Sequence, residues 1–591
     1  MSDSSIITNS EFRGNVTATN IINSMHIFNG SFEMDNVTII ANAIGDCRNG
    51  FICSGILLEN LNDAIINSTS IYGVHTDSAS TETVGILVKD SVLRSGSNNV
   101  FLTGESSNIG VRFNNSDIFN GMDITGNGKV GIEMNESDLF VDVENNQLFL
   151  LGNAVGTGTN GISLDSDIQI SNQGEIVLQA NADKIITCTS LSLSISGSIT
   201  FKSPTHSSEG IEITINNTAS SIILFEEIVT SPRLTVTNDF NSLITFQEGI
   251  TTTGIIDIET STELCGEMNA DGITLQNLNL DCTESTSNNV TVHSDSDISI
   301  VDVSGGEILS ISVNGPNVIS INNVGEPEIL ESLEVTGAEL EVLSSASSIK
   351  TTGDQTYNSN ITLLAPSGND VAIYTTNSMV KFMGSSITSS GTSLTINSNS
   401  FFTADVTSTA SINLSTGTHE VYGNLNGTET VLILNSVLTG SGYIEKLISS
   451  SDNSIINPPP EDEFGNILHI GTLDSSSKIV NLKLDLESEE MFSELEIDSF
   501  ISDSTIILDV NDEYEVISKI FVLDSTEGFE NVIFSDGTNI LTDGSVIMGA
   551  SKALISIGLE SGSINKLSLQ GFTPTPTPTG TPTGTPTNSP T

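Results

Sequence analysis

Histidine, arginine and carboxylate side chains are the groups through which this chain could act on another molecule, so their number and spacing come first. Six histidines stand at 26, 75, 206, 293, 419 and 469, too scattered for a ligand or catalytic spacing. Arginine occurs only at Arg13, Arg48, Arg94, Arg112 and Arg233. Hydrolysis of a glycosidic bond with inversion needs two carboxylates about 6.5 to 9.5 Å apart, and the chain contains no Asp-Asp dipeptide. Proton abstraction from an acidic sugar needs a basic groove, and 5 arginines with 12 lysines make such a groove improbable. The segment Gly126-Asn127-Gly128-Lys129-Val130-Gly131 lacks the spacing of a phosphate-binding loop and reads as a corner. Calcium-binding repeats and EF-hand loops are absent from the sequence. Asp117 and Asp138 share a repeat phase and are expected to form part of an outward acidic ladder, read as solvated charge, with weak neutralisation by a divalent ion as the alternative. No catalytic, cofactor-binding or metal residue is assigned on these grounds.

Cys47 and Cys53 lie close in sequence, Cys265 and Cys282 likewise, and Cys188 is left over. Two readings stay open: buried cysteines acting as small hydrophobes, or one or two local disulfides. Sequons at Asn15, Asn29, Asn36, Asn67, Asn114 and Asn135 matter only in a host that glycosylates asparagine.

The balance of 17 basic against 74 acidic residues gives a formal net charge of -57. Phosphate-bearing partners meet a like-charged field, which excludes nucleic acid and disfavours anionic membranes. A hydrophobic fraction of 37% in short β-branched clusters argues for strands rather than disorder. No run of 18 apolar residues occurs, so no transmembrane helix is expected. The start, MSDSSIITNSEFRGN, lacks the basic region and apolar core of a signal peptide. From Thr573 the chain reads TPTPTPTGTPTGTPTNSPT, a composition that stays extended like a stalk. Together these suggest a piece of a longer exported chain, placed outside the cell or on its surface.

The elements that must position any site are strands. Gly55-Ile56, Gly85-Ile86, Gly110-Val111, Gly131-Ile132, Gly161-Ile162 and Gly210-Ile211 each open a unit with apolar residues one and three positions after the glycine. That is period two, a strand with one buried face. The intervals are 30, 25, 21, 30 and 49 residues, the last read as two turns, and Gly272-Ile273 fits the same pattern. A unit this short cannot bury its apolar face alone; stacked parallel coils can. The fold expected is all-β: a right-handed parallel β-helix, or pectin-lyase-like β-solenoid, over 1–571, followed by a Pro/Thr-rich linker over 572–591. At roughly 25 residues per coil, about 22 coils would make a rod on the order of 105 Å long. The glycines are expected at equivalent corners, where left-handed backbone values are tolerated. Long corner loops between Asn62 and Thr83 and between Asn145 and Thr159 are expected to carry function. Pro458, Pro459 and Pro460, followed by Glu461-Asp462-Glu463, mark an external corner.

The C-terminal quarter carries a more specific likeness. Leu438-Thr439-Gly440-Ser441-Gly442-Tyr443-Ile444 resembles the "L-t-G-s-G-t-I" pattern of bacterial autotransporter-type passengers. Gly471-Thr472-Leu473, the alternating leucines Leu482, Leu484 and Leu486, and Leu495-Glu496-Ile497 follow in the family's order. Tyr514-Glu515-Val516-Ile517 and Gly528-Phe529-Glu530-Asn531-Val532 extend the resemblance, which covers about 425–540. It departs from the family in having no membrane β-barrel after it and Pro-Pro-Pro-Glu-Asp-Glu where a proline-glycine turn is usual. The rod-forming repeat, the lack of a catalytic constellation, the acidic hydroxyl-rich exterior and the Pro/Thr tail point to an adhesin-like, non-enzymatic surface module without a cofactor, presenting a binding face to a glycan or to a protein on a host or neighbouring cell. β-Helix enzymes such as pectate lyases, polygalacturonases and tailspike glycosidases supply the alternative. The Asn-Thr-Asp, Asp-Asp, Gly-His-Gly and Arg-Ile-Lys signature of polygalacturonases does not occur here. An antifreeze face would need Thr-x-Thr ranks at coil spacing, and such triplets are too few.

Overall fold

The structure is a computed structural model. It describes residues 5–571 apart from 9, 18–22, 45–51, 77–82, 97–99, 143–145, 156–159, 165–167, 182–183, 216–220, 239–241, 283–288, 326–327, 343–347, 365–369, 377, 390–391, 409–410, 427–428, 460–466, 476–477, 485–493, 502–503, 511–518, 526–531, 536–539, 542–545, 548–552 and 561–563. The Pro/Thr tail, Cys47, Arg48, Pro460 to Glu463, Leu486, Tyr514 to Ile517 and Gly528 to Asn531 therefore lie outside the described residues. Two compact units divide the chain, one from residues 1–365 with 375–377, the other from 366–374 with 378–591. Every regular element described is a strand.

In the first unit each coil contributes one strand to each of three parallel sheets. One coil runs through Thr83–Lys89, Val92–Ser95 and Phe101–Ser106; the next runs through Ile109–Asn114, Asp117–Phe119 and Asp123–Gly128. Counterparts pair in parallel from coil to coil. Ile56, Ile86, Val111, Ile132 and Ile162 pair rung to rung, all with 0% exposure, as the repeat predicts. Full burial of each such side chain is worth roughly 1.5–3 kcal/mol. Interior rows of the third sheet stack equally closely: Phe201, Phe225 and Phe246 lie ring over ring at 4.6 and 5.3 Å between centroids. This is a right-handed parallel β-helix.

The glycines flank a corner for a reason other than the expected one. None of Gly55, Gly85, Gly110, Gly131 and Gly161 has a positive φ. They open the first strand of a coil just where it converges on the end of the preceding third-sheet strand, which carries its own row, Gly73, Gly104, Gly126 and Gly152. A Cβ at Gly104 would strike the Gly110 carbonyl, and one at Gly126 the Gly131 carbonyl. Close backbone approach, not backbone handedness, selects glycine there. The left-handed corner is made instead by Asn29, Asn60, Asp90, Asn115 and Glu136, with φ of 54, 55, 49, 50 and 48°. The residue after it is serine in three successive coils, and each hydroxyl does two jobs. Ser91 Oγ accepts from the Leu61 amide and donates to the Lys89 carbonyl; Ser116 and Ser137 repeat the pattern against the coil before.

The repeat phase changes after Gly161. Ile162 pairs with Ile186, not toward Ile211; Ile211 pairs with Leu191 in the second sheet, and Ile273 falls in that sheet too. Ile185–Ile195 and Thr205–Ile215 each run through the first and second sheets, as Cys53–Asn67 does, but here the Gly-Ile pattern falls in the second-sheet part, one side further round. The loop expected between Asn62 and Thr83 is largely strand, since Cys53–Asn67 and Ser70–Thr76 occupy it. Gln147–Ala154 likewise fills most of the segment expected as a loop between Asn145 and Thr159. Residues 77–82, 145 and 156–159 of those two segments are outside the described set.

The second unit uses the same parallel stacking through Ser504–Val510 and Val532–Ser535. Phe382 and Phe402 stack inside it at 4.8 Å. Its last strands depart from that arrangement. Lys519–Ser525 pairs antiparallel with Ile564–Gly571, which forms a hairpin with Ala553–Glu560. An antiparallel partner occupies one edge of Lys519–Ser525, an arrangement that limits further strand addition.

Candidate functional site

Outward side chains are positioned by the same register, so residues roughly one coil apart in sequence become neighbours. The scarce arginines are placed by this rule. Arg94 Nε donates to Asp63 at 2.9 Å. Arg112 Nη2 donates to Glu133 at 3.1 Å while its Nε lies 2.8 Å from the other carboxylate oxygen. Arg233 Nη2 donates to Glu212 at 2.8 Å, and Arg13 pairs with Glu11. Lys89 does the same with Glu59 at 2.8 Å; that hydrogen bond is the main reason the Glu59 carboxyl is held below its usual range and the Lys89 ammonium above its own. Each described arginine is thus committed to a carboxylate, and all but Arg13 bridge adjacent coils. Glu133 is therefore not an idle outward residue: only 12% of its side chain is exposed.

Polar neighbours take up many other carboxylates. Asn323 donates to Asp302, Thr362 to Glu339, and Asn314 to Asp295. Charged oxygens held by amides and hydroxyls of the next coil explain how so acidic a surface coexists with a closed stack. Asp117 and Asp138 do share a row, but Val92 precedes them, so the acidic ladder is two rungs long. Partial burial raises the Asp117 carboxyl above the usual range, the Asp138 charge adds to this, and Arg94 opposes it.

The histidines separate into structural and exposed sets. His75 is fully buried in the row between Ala43 and Ser106. His419 is also buried; Ser400 lies 2.8 Å from its Nδ1, and burial pushes the imidazole down to about 4. His26 sits 3.2 Å from Glu59, His206 is exposed, and His293 is 2.8 Å from the Ser312 hydroxyl. His469 is different. Its Nε2 is 3.2 Å from Asp498 and its Nδ1 3.9 Å from Glu496, with the Tyr443 ring edge-on at 5.0 Å. Tyr443, His469 and Glu496 occupy one outward row. Burial, then the Asp498 and Glu445 charges, raise the Tyr443 phenol. Chemically this is a histidine steered by carboxylates, a group able to exchange a proton.

Sequence reasoning missed this cluster, and also an outward column in the first unit. There Arg94 lies 3.7 Å over the Phe119 ring, and Phe119 stacks on Phe140 at 4.6 Å. In sequence the only available signal was that these residues share strand phase. Searches for known relatives add no assignment. No family model matches the chain, and no curated protein matches it. The likeness of 425–540 to autotransporter-type passengers thus rests on its own residues, whose placement is consistent with a coil. Gly440 has a φ of 109°, a Cβ on Gly442 would meet the Gly423 carbonyl, and Leu482, Leu484, Leu495 and Ile497 are all buried.

Among the described residues no group of three or more His, Cys, Asp or Glu side chains could hold a metal ion. No helix among them is long and apolar enough to cross a membrane. Cys265 and Cys282 form a disulfide, Cys53 is disulfide-bonded, and Cys188 is a buried thiol pushed up to about 11 by burial. A shallow groove of about 680 Å³ follows the glycine-lined corner past Thr76, Glu105, Ser106, Asn127, Lys129 and Val155. It takes in Asn127, Gly128 and Lys129 of the Gly126–Gly131 segment read as a corner. Among the described residues its lining holds one basic side chain, Lys129.

Proposed function

We propose that this chain is a non-enzymatic, adhesin-like module of the cell surface or extracellular space, with 425–540 forming an autotransporter-passenger-type segment. The observation that carries the reading is the commitment of every described arginine to a carboxylate. Charged side chains that a sugar-processing groove would direct at substrate are here directed at one another across coils. A solenoid held in this way is a stable carrier for a binding face, with a glycan or a surface protein as partner. The test is binding of the full chain to immobilised glycans and matrix proteins, with the bound ligand recovered and sized. Retention with intact ligand supports the proposal; a shortened ligand refutes it.

The His469 cluster favours a second reading, a polysaccharide lyase or glycosidase. Its imidazole has two carboxylates within 4 Å, Asp498 and Glu496, where the ion pairs of His26 and His293 each involve one. Loss of polysaccharide cleavage in His469→Gln would establish that reading in place of the first.

A further inference from the structure

The outward face of the third sheet in the first unit carries a row that alternates ring, carboxylate and ring over three successive coils. Phe101, Asp123 and Phe149 pair rung to rung, while Leu102, Ile124 and Leu150 beside them point inward and are fully buried. Phe101 is 45% exposed, and Asp123 and Phe149 are partly so. The next outward row sets the hydroxyls of Thr103 and Thr125 alongside, on the strands of Phe101 and Asp123. On the rung after Phe149, Val177 is only 3% exposed, so the open part of the row ends there.

Charge and spacing together say what such a row would meet. Among the described residues the Asp123 side chain has no hydrogen bond or ion pair; burial alone raises its carboxyl above the usual range, with no cation to oppose it. A cation brought to it would relieve that cost through a charge-assisted hydrogen bond. The chain as a whole draws cations, since 74 acidic residues face 17 basic ones. Adjacent rungs lie about 4.8 Å apart, which puts the two phenyl-bearing strands roughly 9.6 Å apart along the solenoid axis. That is close to the disaccharide repeat of an extended β-1,4-linked sugar chain, in which each sugar is turned over relative to the last. Sugars that lay their apolar C–H faces on Phe101 and Phe149 leave the one between them over Asp123. Thr103 and Thr125 then lie along the hydroxyl edge of the chain.

We propose that Phe101, Asp123 and Phe149, with Thr103 and Thr125 beside them, bind an amino-sugar chain of β-1,4 linkage laid along the solenoid axis. This rests on the binding-module reading above and names the chemistry of its glycan. A protonated amine on the sugar over Asp123 supplies the counter-charge that carboxylate lacks. Acidic glycans meet repulsion from the same group, and a curled α-linked chain does not reach both rings. A basic peptide would satisfy Asp123 but leave the alternation of rings and the hydroxyl row unused.

The test is calorimetric titration of the full chain, in mildly acidic buffer with 150 mM salt, with the β-1,4-linked hexamer of glucosamine, cellohexaose, maltohexaose and hexa-lysine. The expected order is glucosamine hexamer, then cellohexaose, with maltohexaose weakest of the sugars. Phe101→Ala and Phe149→Ala should each weaken the glucosamine hexamer about fivefold or more. Asp123→Asn should remove its advantage over cellohexaose. Asp257→Asn, which removes an outward carboxylate of the second sheet, should change nothing. Thermal melts of each variant check folding, and Asp123→Asn carries the test if a phenylalanine variant unfolds. Glucosamine-hexamer binding within twofold of the parent in every folded variant would overturn the proposal, as would equal losses in Asp123→Asn and Asp257→Asn. Maltohexaose or cellohexaose binding as tightly as the glucosamine hexamer would overturn it too. So would tighter binding of hexa-lysine that Phe101→Ala weakens. A hexamer recovered shortened, seen by mass spectrometry, would instead overturn the module reading, a separate result.

Discussion

Replacing Ile132 by aspartate puts the stacking argument at risk in a single coil. Ile132 has 0% exposure and lies between Val111 and Ile162 in the interior row. Removing its side chain forfeits up to about 3 kcal/mol of burial. A carboxyl left there without a partner costs about 3 kcal/mol more, even if it takes up a proton to avoid charge. The sum, about 6 kcal/mol, exceeds what one coil should tolerate, whereas Ile132→Val should cost about 0.5–1.5 kcal/mol. Each coil touches only its neighbours, so the damage should be local. Hydrogen exchange read by mass spectrometry should show lost amide protection over Ile109–Asn114, Val130–Asn135 and Asn160–Leu164, with little change in the second unit. Glu133→Gln is the paired control, and not a silent one. It leaves Arg112, 16% exposed, without its counter-charge, at a cost of about 1–3 kcal/mol. Equal loss in Ile132→Asp and Glu133→Gln, or uniform loss along the whole chain, would refute the assignment of inner and outer faces.

Other perturbations test other parts. Gly126→Ala should destabilise more than Gly306→Ala in thermal melts, because a Cβ at 126 meets the Gly131 backbone and one at 306 meets nothing within 4 Å. His419 is neutral in the fold down to about pH 4 but would charge near pH 6.5 once unfolded, so the unfolded chain binds more protons between those values. Stability should therefore fall as pH drops from about 6.5 to about 4, and His419→Gln should flatten that part of a melting-temperature profile. Reducing the Cys265–Cys282 disulfide, which closes a separation of 17 residues, should cost about 3 kcal/mol, seen as earlier unfolding of the first unit in denaturant. Cys188 should resist a thiol reagent at pH 8 until the chain unfolds, as burial keeps it protonated. Calcium and sodium at equal ionic strength should raise the melting temperature alike; a calcium-specific shift that Asp138→Asn abolishes would show that Asp117 and Asp138 bind the ion.

Much of the first unit was legible because two signals coincided, alternation within strands and a glycine at each narrow corner. The pairing of Ile56 through Ile162 follows directly from them. Legibility failed where chemistry stayed the same but geometry moved. Gly210-Ile211 looks like the earlier units, yet fused strands carry it into the next sheet. The antiparallel ending has the same alternating residues as a parallel coil, so composition could not announce it. Contacts across coils were the least legible, since their sequence separation varies with every corner. Arg94 and Asp63 are 31 residues apart, Arg233 and Glu212 are 21, and nothing local marks either pair. The Phe119–Phe140 column and the His469 cluster were hidden for the same reason.

The central claim is that polar side chains of this solenoid serve its own cohesion and a binding face rather than a reaction. Incubating the full chain with a panel of acidic and neutral polysaccharides tests it most directly, reading new reducing ends and the ultraviolet absorbance of unsaturated products. His469→Gln and Asp498→Asn are run alongside. The account predicts no product above the blank for any of the three proteins. Product formed by the parent chain and lost in both variants would contradict it.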